Sequence, residues 1–139
     1  MVDGNGIYHY RRFGSACQVG IECDIATIGV AKQVLCIDRI NKSAIERMTS
    51  KMNIGDYREI RSYGNELVGY AYKSEFGSEP LVVSSGHKIS MRRSVDITKL
   101  LCFEKIPKPI DLADKLSREI FIERGLLRKP RDYKKVQLE

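Results

Sequence analysis

No apolar run in this chain approaches the roughly 20 residues that a helix needs to span a bilayer, and no two of its cysteines form a CxxC pair. The N-terminus Met1-Val2-Asp3-Gly4-Asn5-Gly6 has neither the basic region nor the apolar region of a secretory signal. Both absences lead us to expect a soluble, cytoplasmic protein with no membrane partner. Cys17, Cys23, Cys36 and Cys102 are scattered among apolar neighbours, which suits buried, reduced thiols better than a zinc site or a disulfide frame. Histidine is scarce as well. Only His9 and His87 are present, so side chains that titrate near neutral pH are few and easily located. No internal repeat or low-complexity tract interrupts the chain.

What is present fits one domain. The 139 residues are 42% hydrophobic, enough to build a core and too few for two independent ones. Lys and Arg number 24 against 18 Asp and Glu, a net charge of +6. Residues 124–139 hold six basic and two acidic residues, so they carry +4 of that surplus and leave the body close to neutral. We therefore divide the chain into a body, 1–124, and a basic tail, 125–139. Such a tail suits a phosphate-bearing partner, through release of counterions; on composition alone a solvated terminus explains it more simply.

The local patterns predict an α/β arrangement with helices covering a mixed sheet. Met1–Asp3 looks like a strand end running into the turn Gly4-Asn5-Gly6. Between Phe13 and Cys23, Ala16, Val19, Gly20 and Cys23 recur at helical spacing. Thr27–Ala31 and Gln33–Ile37 have the composition of short buried strands. Residues 38–65 are polar and turn-rich, a surface segment with at most a short helix. Leu67–Lys73 and Leu81–Ser85 flank a Gly/Ser/Pro connection, as in a β-hairpin. Ser90 is placed to cap a helix through Phe103 with Met91, Val95, Thr98 and Cys102 on one face. The run Ile106-Pro107-Lys108-Pro109 ends it. A last helix starts near Asp111, with Asp111 and Asp114 favouring its dipole and Leu112, Leu116 and Ile120 forming a stripe.

Few polar groups stand where chemistry usually stands, at strand ends and in glycine turns. Asp3 lies at a strand end beside a glycine turn, where a carboxylate can hold Mg²⁺ in an open, solvated position. His9 follows six residues later, Lys32 leaves the Thr27–Ala31 strand, and His87 follows the Leu81–Ser85 strand. Together they suit a phosphodiester, because cations neutralise transition-state charge and a metal activates or orients water. Singly, each has an ordinary explanation: a tight turn, a hydrogen-bonded histidine, a solvated lysine.

Their joint pattern is more specific. Val2-Asp3-Gly4-Asn5-Gly6-Ile7-Tyr8-His9, Arg12-Phe13-Gly14-Ser15-Ala16-Cys17-Gln18-Val19-Gly20 and Thr27-Ile28-Gly29-Val30-Ala31-Lys32 resemble the endonuclease V, or deoxyinosine 3′ endonuclease, family. So do Val83-Ser84-Ser85-Gly86-His87-Lys88-Ile89-Ser90 and the stretch from Pro107 to Glu119, in the right order and spacing. The resemblance implies an RNase H-like fold that binds Mg²⁺, with Mn²⁺ as the alternative, and cleaves DNA or RNA containing hypoxanthine one nucleotide beyond that base on its 3′ side. It implies that Asp3 is a metal ligand, that His9 lies near the metal and the scissile phosphate, and that Lys32 and His87 support the catalytic site. Gly4, Asn5, Gly6 and Gly86 fall at positions where backbone lies close to the base or strand.

Gln18 stands where relatives commonly have His, Ala26 where they have Pro, and Asp111 where they have Arg. Family members also carry a long segment ahead of the DGxG motif, with the first sheet strands, an Asp and a Glu that bind metal, and a Pro-Tyr wedge. The present chain starts at that motif. We therefore expect the C-terminal portion of a larger domain, lacking the N-terminal strands and weak or inactive alone, since one carboxylate holds Mg²⁺ poorly. The alternatives are a non-catalytic nucleic-acid-binding remnant and a subunit completed by a second chain that supplies strands.

Overall fold

The computed structural model describes residues 1–75 and 79–126; the basic tail from residue 127 onward and hairpin positions 76–78 lie outside the described residues. The strands are β1 (Val2–Asp3), β2 (Thr27–Ala31), β3 (Tyr57–Arg61), β4 (Leu67–Tyr72) and β5 (Leu81–His87). The helices are α1 (Ser15–Glu22), α2 (Lys42–Thr49), α3 (Met91–Leu101) and α4 (Lys108–Glu123). One sheet contains all five strands in the order β1-β2-β5-β4-β3. The pair β1 and β2 is parallel, and the others are antiparallel. This is the expected mixed sheet flanked by helices.

Every residue of β2 is buried, as in a strand covered on both faces. Alternate side chains serve two layers. Ile28 and Val30 join Tyr70, Leu81 and Val83, where α3 contributes Val95 and α4 contributes Ile110. On the opposite face Ala31 joins Tyr8, Val82 and Ile45 of α2, and the Thr27 hydroxyl donates to the Ala16 carbonyl of α1 at 2.6 Å. Each such Ile or Val withdrawn from water contributes about 2 kcal/mol. Ser90 caps α3 by accepting from the Arg93 N–H at 3.3 Å, and Val95 and Thr98 lie on its buried face.

Several expectations are corrected. Gln33–Ile37 forms no strand. It crosses from the sheet into a tight turn closed by the bridge between Ile37 and Ile40, with positive φ at Asp38 and Arg39. The 38–65 segment contains both α2 and the edge strand β3, whose Ile60 is its one buried side chain. In α1 the buried residues are Ala16, Cys17 and Gly20, whereas Val19 is exposed. Of the cysteines only Cys17 is buried; Cys23 and Cys36 are exposed and Cys102 is intermediate. Helix α4 begins at Lys108, not near Asp111, because Pro109 occupies its first turn, where a missing N–H costs nothing. Its stripe of Leu112, Leu116 and Ile120 is exposed, and Ile110 alone is buried.

Candidate active site

Because β1 and β2 are parallel, Asp3, which pairs with Val30, and Lys32, the residue after β2, leave the sheet at the same end. That is the carboxyl end of both strands, where open α/β sheets place their ligands. Lys32 Nζ lies 2.8 Å from Asp3 Oδ2, and both side chains are partly exposed, at 37% and 48%. The pair lines a cavity of about 400 Å³ together with Gly4, Asn5 and Leu35.

The glycine turn beside it is sewn onto the sheet. Gly4 N–H donates to the Val30 carbonyl at 3.1 Å, and Ile7 N–H to the Ser85 carbonyl at 2.9 Å. Gly6 N–H donates to the fully buried Ser84 hydroxyl at 2.9 Å. A Cβ on Gly6 would come within 2.0 Å of the Ser85 carbonyl, and one on Gly86 within 2.4 Å of Thr27 Oγ1. Those two glycines thus have a packing role within the chain itself. Asn5 is different: its Oδ1 is buried without a hydrogen-bond partner among the described residues, a cost of about 1–3 kcal/mol that a donor from a ligand would remove.

Asp3 also lines a second cavity, of about 300 Å³, whose far wall is α4 with Ile110, Asp114 and Ser117. Asp3 and Asp114 therefore line one space. Sequence reasoning gives Asp114 only a part in the helix dipole. The overlooked signal is that it lies four residues after Ile110, on the face that α4 turns to the body. Its Oδ2 is 3.2 Å from Arg118 Nε. Asp111 points elsewhere, bound by Lys115 at 2.9 Å and Lys108 at 3.4 Å, and the Lys115 hydrogen bond leads in holding its carboxyl below the usual range. Among the described residues no three His, Cys, Asp or Glu side chains form a metal-binding group.

Neither histidine lines the two cavities that Asp3 lines. His9 lines another cavity, of about 580 Å³, with Arg11, Phe13 and Glu22. Its Nδ1 accepts from the Arg11 N–H at 3.3 Å. Desolvation first, and the Arg11 charge second, hold its pKa below the ordinary 6.5. His87 pairs with Thr27, at the start of β2, whereas Asp3 and Lys32 sit at its end. His87 is thus at the other end of β2 from Asp3 and Lys32. The His87 Cβ lies over Gly20 of α1, and its Nε2 is 3.9 Å from Asp24, which Lys88 also binds. Gln18, at the position of a common His, donates to Glu22 at 2.8 Å.

Comparison with known proteins fits this geometry. The endonuclease V family model matches residues 1–115. Human endonuclease V is 35% identical over 122 residues, which are 86% of this chain and 43% of that protein. The chain thus spans less than half the length of that relative. The solved catalytic domain of human endonuclease V superposes with a TM-score of 0.81 at 34% identity, covering 91% of this chain and 53% of that one. Endonuclease V of Ciona intestinalis, solved with a 24mer DNA containing an inosine followed by a ribo-adenosine, gives a TM-score of 0.78 at 34% identity, covering 87% and 53%. A family match that runs from β1 into α4 takes in every strand and the wall facing Asp3: the chain belongs to the endonuclease V family.

Proposed function

We propose that the chain serves phosphodiester hydrolysis of the endonuclease V type, in which a DNA or RNA strand containing hypoxanthine is cut on the 3′ side of that base. The observation that carries the reading is Asp3, paired with Lys32 on one side and sharing a cavity with Asp114 on the other. These oxygen donors suit a hard divalent cation, Mg²⁺ or Mn²⁺. Mg²⁺ is commonly held by one or two carboxylates, with waters and substrate phosphate completing its shell. Asp3 and Asp114 would hold it. When bound, such an ion polarises a phosphoryl oxygen and lowers the pKa of water. Lys32 supplies a fixed positive charge for the phosphate, and Asn5 offers its unsatisfied oxygen to a donor on the substrate. His9 lines a cavity with Arg11 and Phe13, where it would meet the flanking strand.

The test is cleavage of paired DNA and RNA oligonucleotides, with and without inosine, across a Mg²⁺ titration. We expect Asp3→Asn to lower the rate by at least about 100-fold and Lys32→Ala by about tenfold. Because weak activity is expected of this chain alone, the assay is run at high enzyme concentration and saturating Mg²⁺; absence of inosine-dependent cleavage even there would leave the non-catalytic binding remnant as the better description. A second reading is favoured by exposed Leu112, Leu116, Ile120 and Phe121 on α4, together with β1 at the end of the sheet. In it a second chain adds strands to β1 and covers α4. Native mass measurement of the chain purified from its own source decides it: a stable hetero-complex supports this reading and a lone monomer sinks it.

A further inference from the structure

The loop between the glycine turn and α1 carries a surface that the reaction at Asp3 does not use. Tyr10 is 67% exposed and Phe13 is 41% exposed, two aromatic rings within four residues that turn outward. The His9 ring lies against Tyr10 at 4.1 Å between centroids with a 33° tilt. The Arg11 guanidinium sits 5.3 Å from the Tyr10 ring centre. The two arginines of the loop are not equivalent. Arg12 has positive φ and is tied down by Asp38 and by Glu66, the latter at 3.8 Å. Arg11 has no carboxylate partner among the described residues and stays beside the ring.

An exposed tyrosine with a stacked imidazole and an unpaired guanidinium has the chemistry that single-stranded nucleic acid recruits: a flat face for a base and a cation for its phosphate. Charge separates this occupant from a protein apolar surface, which would leave Arg11 buried and uncompensated. The loop is anchored by the engaged Arg12, and by the Ile7 N–H and Gly14 N–H bonds to Ser85 and Gly6. It is therefore held in place against the body of the chain.

We propose that Tyr10 and Arg11 form a nucleotide subsite, in which Tyr10 stacks on a base of the strand flanking the cleaved bond and Arg11 binds the adjoining phosphate. The inference rests on the nuclease reading for its place along the strand and not for its chemistry, so it is tested by binding without cleavage. A fluorescein-labelled single-stranded oligonucleotide is titrated with the 139-residue chain in EDTA, and anisotropy is followed across a salt series. Tyr10→Ala should weaken binding about tenfold, while Tyr10→Phe and Tyr10→Trp stay within about twofold because a ring is retained. Arg11→Ala should weaken binding and lower the slope of log affinity against log salt by about 0.7, one phosphate contact on a single strand; Arg11→Lys should keep the slope. Circular dichroism checks that each variant is folded.

Affinity of Tyr10→Ala within twofold of the parent, equal losses in Tyr10→Ala and Tyr10→Phe, an unchanged slope in Arg11→Ala, or no strand binding by the parent each overturns the subsite. If these effects appear and Mg²⁺ elicits no cleavage, the subsite stands and the nuclease reading falls. If inosine-dependent cleavage appears and the Tyr10 and Arg11 variants bind like the parent, the nuclease reading stands and the subsite falls.

Discussion

Tyr8 is fully buried in a loop between a glycine turn and a run of basic residues, and its hydroxyl donates to the Leu35 carbonyl at 2.8 Å. Nothing in Ile7-Tyr8-His9 marks it as core, since its partners Val82 and Ile45 lie far along the chain. Burial, with Cys36 and Asp38 adding to it, pushes the phenol up to about 12. A folded pKa raised above the ordinary value of 10.0 contributes stability that is complete below pH 10 and is lost as pH rises through about 12. Alkaline denaturation followed by circular dichroism should show this loss in the parent and not in Tyr8→Phe, which at neutral pH costs about 1 kcal/mol. Gly29 makes a similar case. Its place in a buried strand is legible in the sequence, but its need to be glycine is not, because a Cβ there would meet Gly6 N at 2.3 Å across a loop contact. Gly29→Ala should cost about 3 kcal/mol in denaturant titrations. For His9, NMR titration should give a midpoint below 6.5, moving upward in Arg11→Ala as a like charge is removed.

At the scale of elements, local signals succeed where one residue does one job. Ser90 has the sequence position of a cap and it caps, so Ser90→Ala should lower stability by about 1 kcal/mol. The apolar strands β2, β4 and β5 are legible from their composition. Edge strand β3 is not, because Tyr-Arg-Glu-Ile-Arg exposes most of its side chains and buries only Ile60. The Pro107 to Pro109 stretch reads as the end of one helix, yet α3 already ends at Leu101 and the prolines open α4, since proline suits a first turn. In α4 the periodicity is right and its meaning incomplete: the stripe of Leu112, Leu116 and Ile120 faces solvent. Leu116→Glu should therefore leave the thermal midpoint nearly unchanged while lowering any concentration-dependent association seen by sedimentation.

Across the whole molecule, the mixed sheet is legible from the order of strand and helix patterns, and half of the candidate site with it. Asp3 and Lys32 meet because two parallel strands end together, a relation that the glycine turn and the buried run already suggest. Asp114 and the position of His87 are illegible, the first because it depends on how α4 docks against the sheet, the second because it depends on β5 running antiparallel to β2. The sheet also sets how firmly its parts are held. Strand β5 lies in the middle, paired on both sides, whereas β1 has two residues and a single neighbour. Segments with little pairing open locally at far lower free energy than the core. Amide hydrogen exchange should therefore be fast at Gly4 and slow at Val82 and Val83. A divalent cation that engages Asp3 would slow exchange at Gly4 specifically, turning the least protected strand of the protein into its own reporter of occupancy.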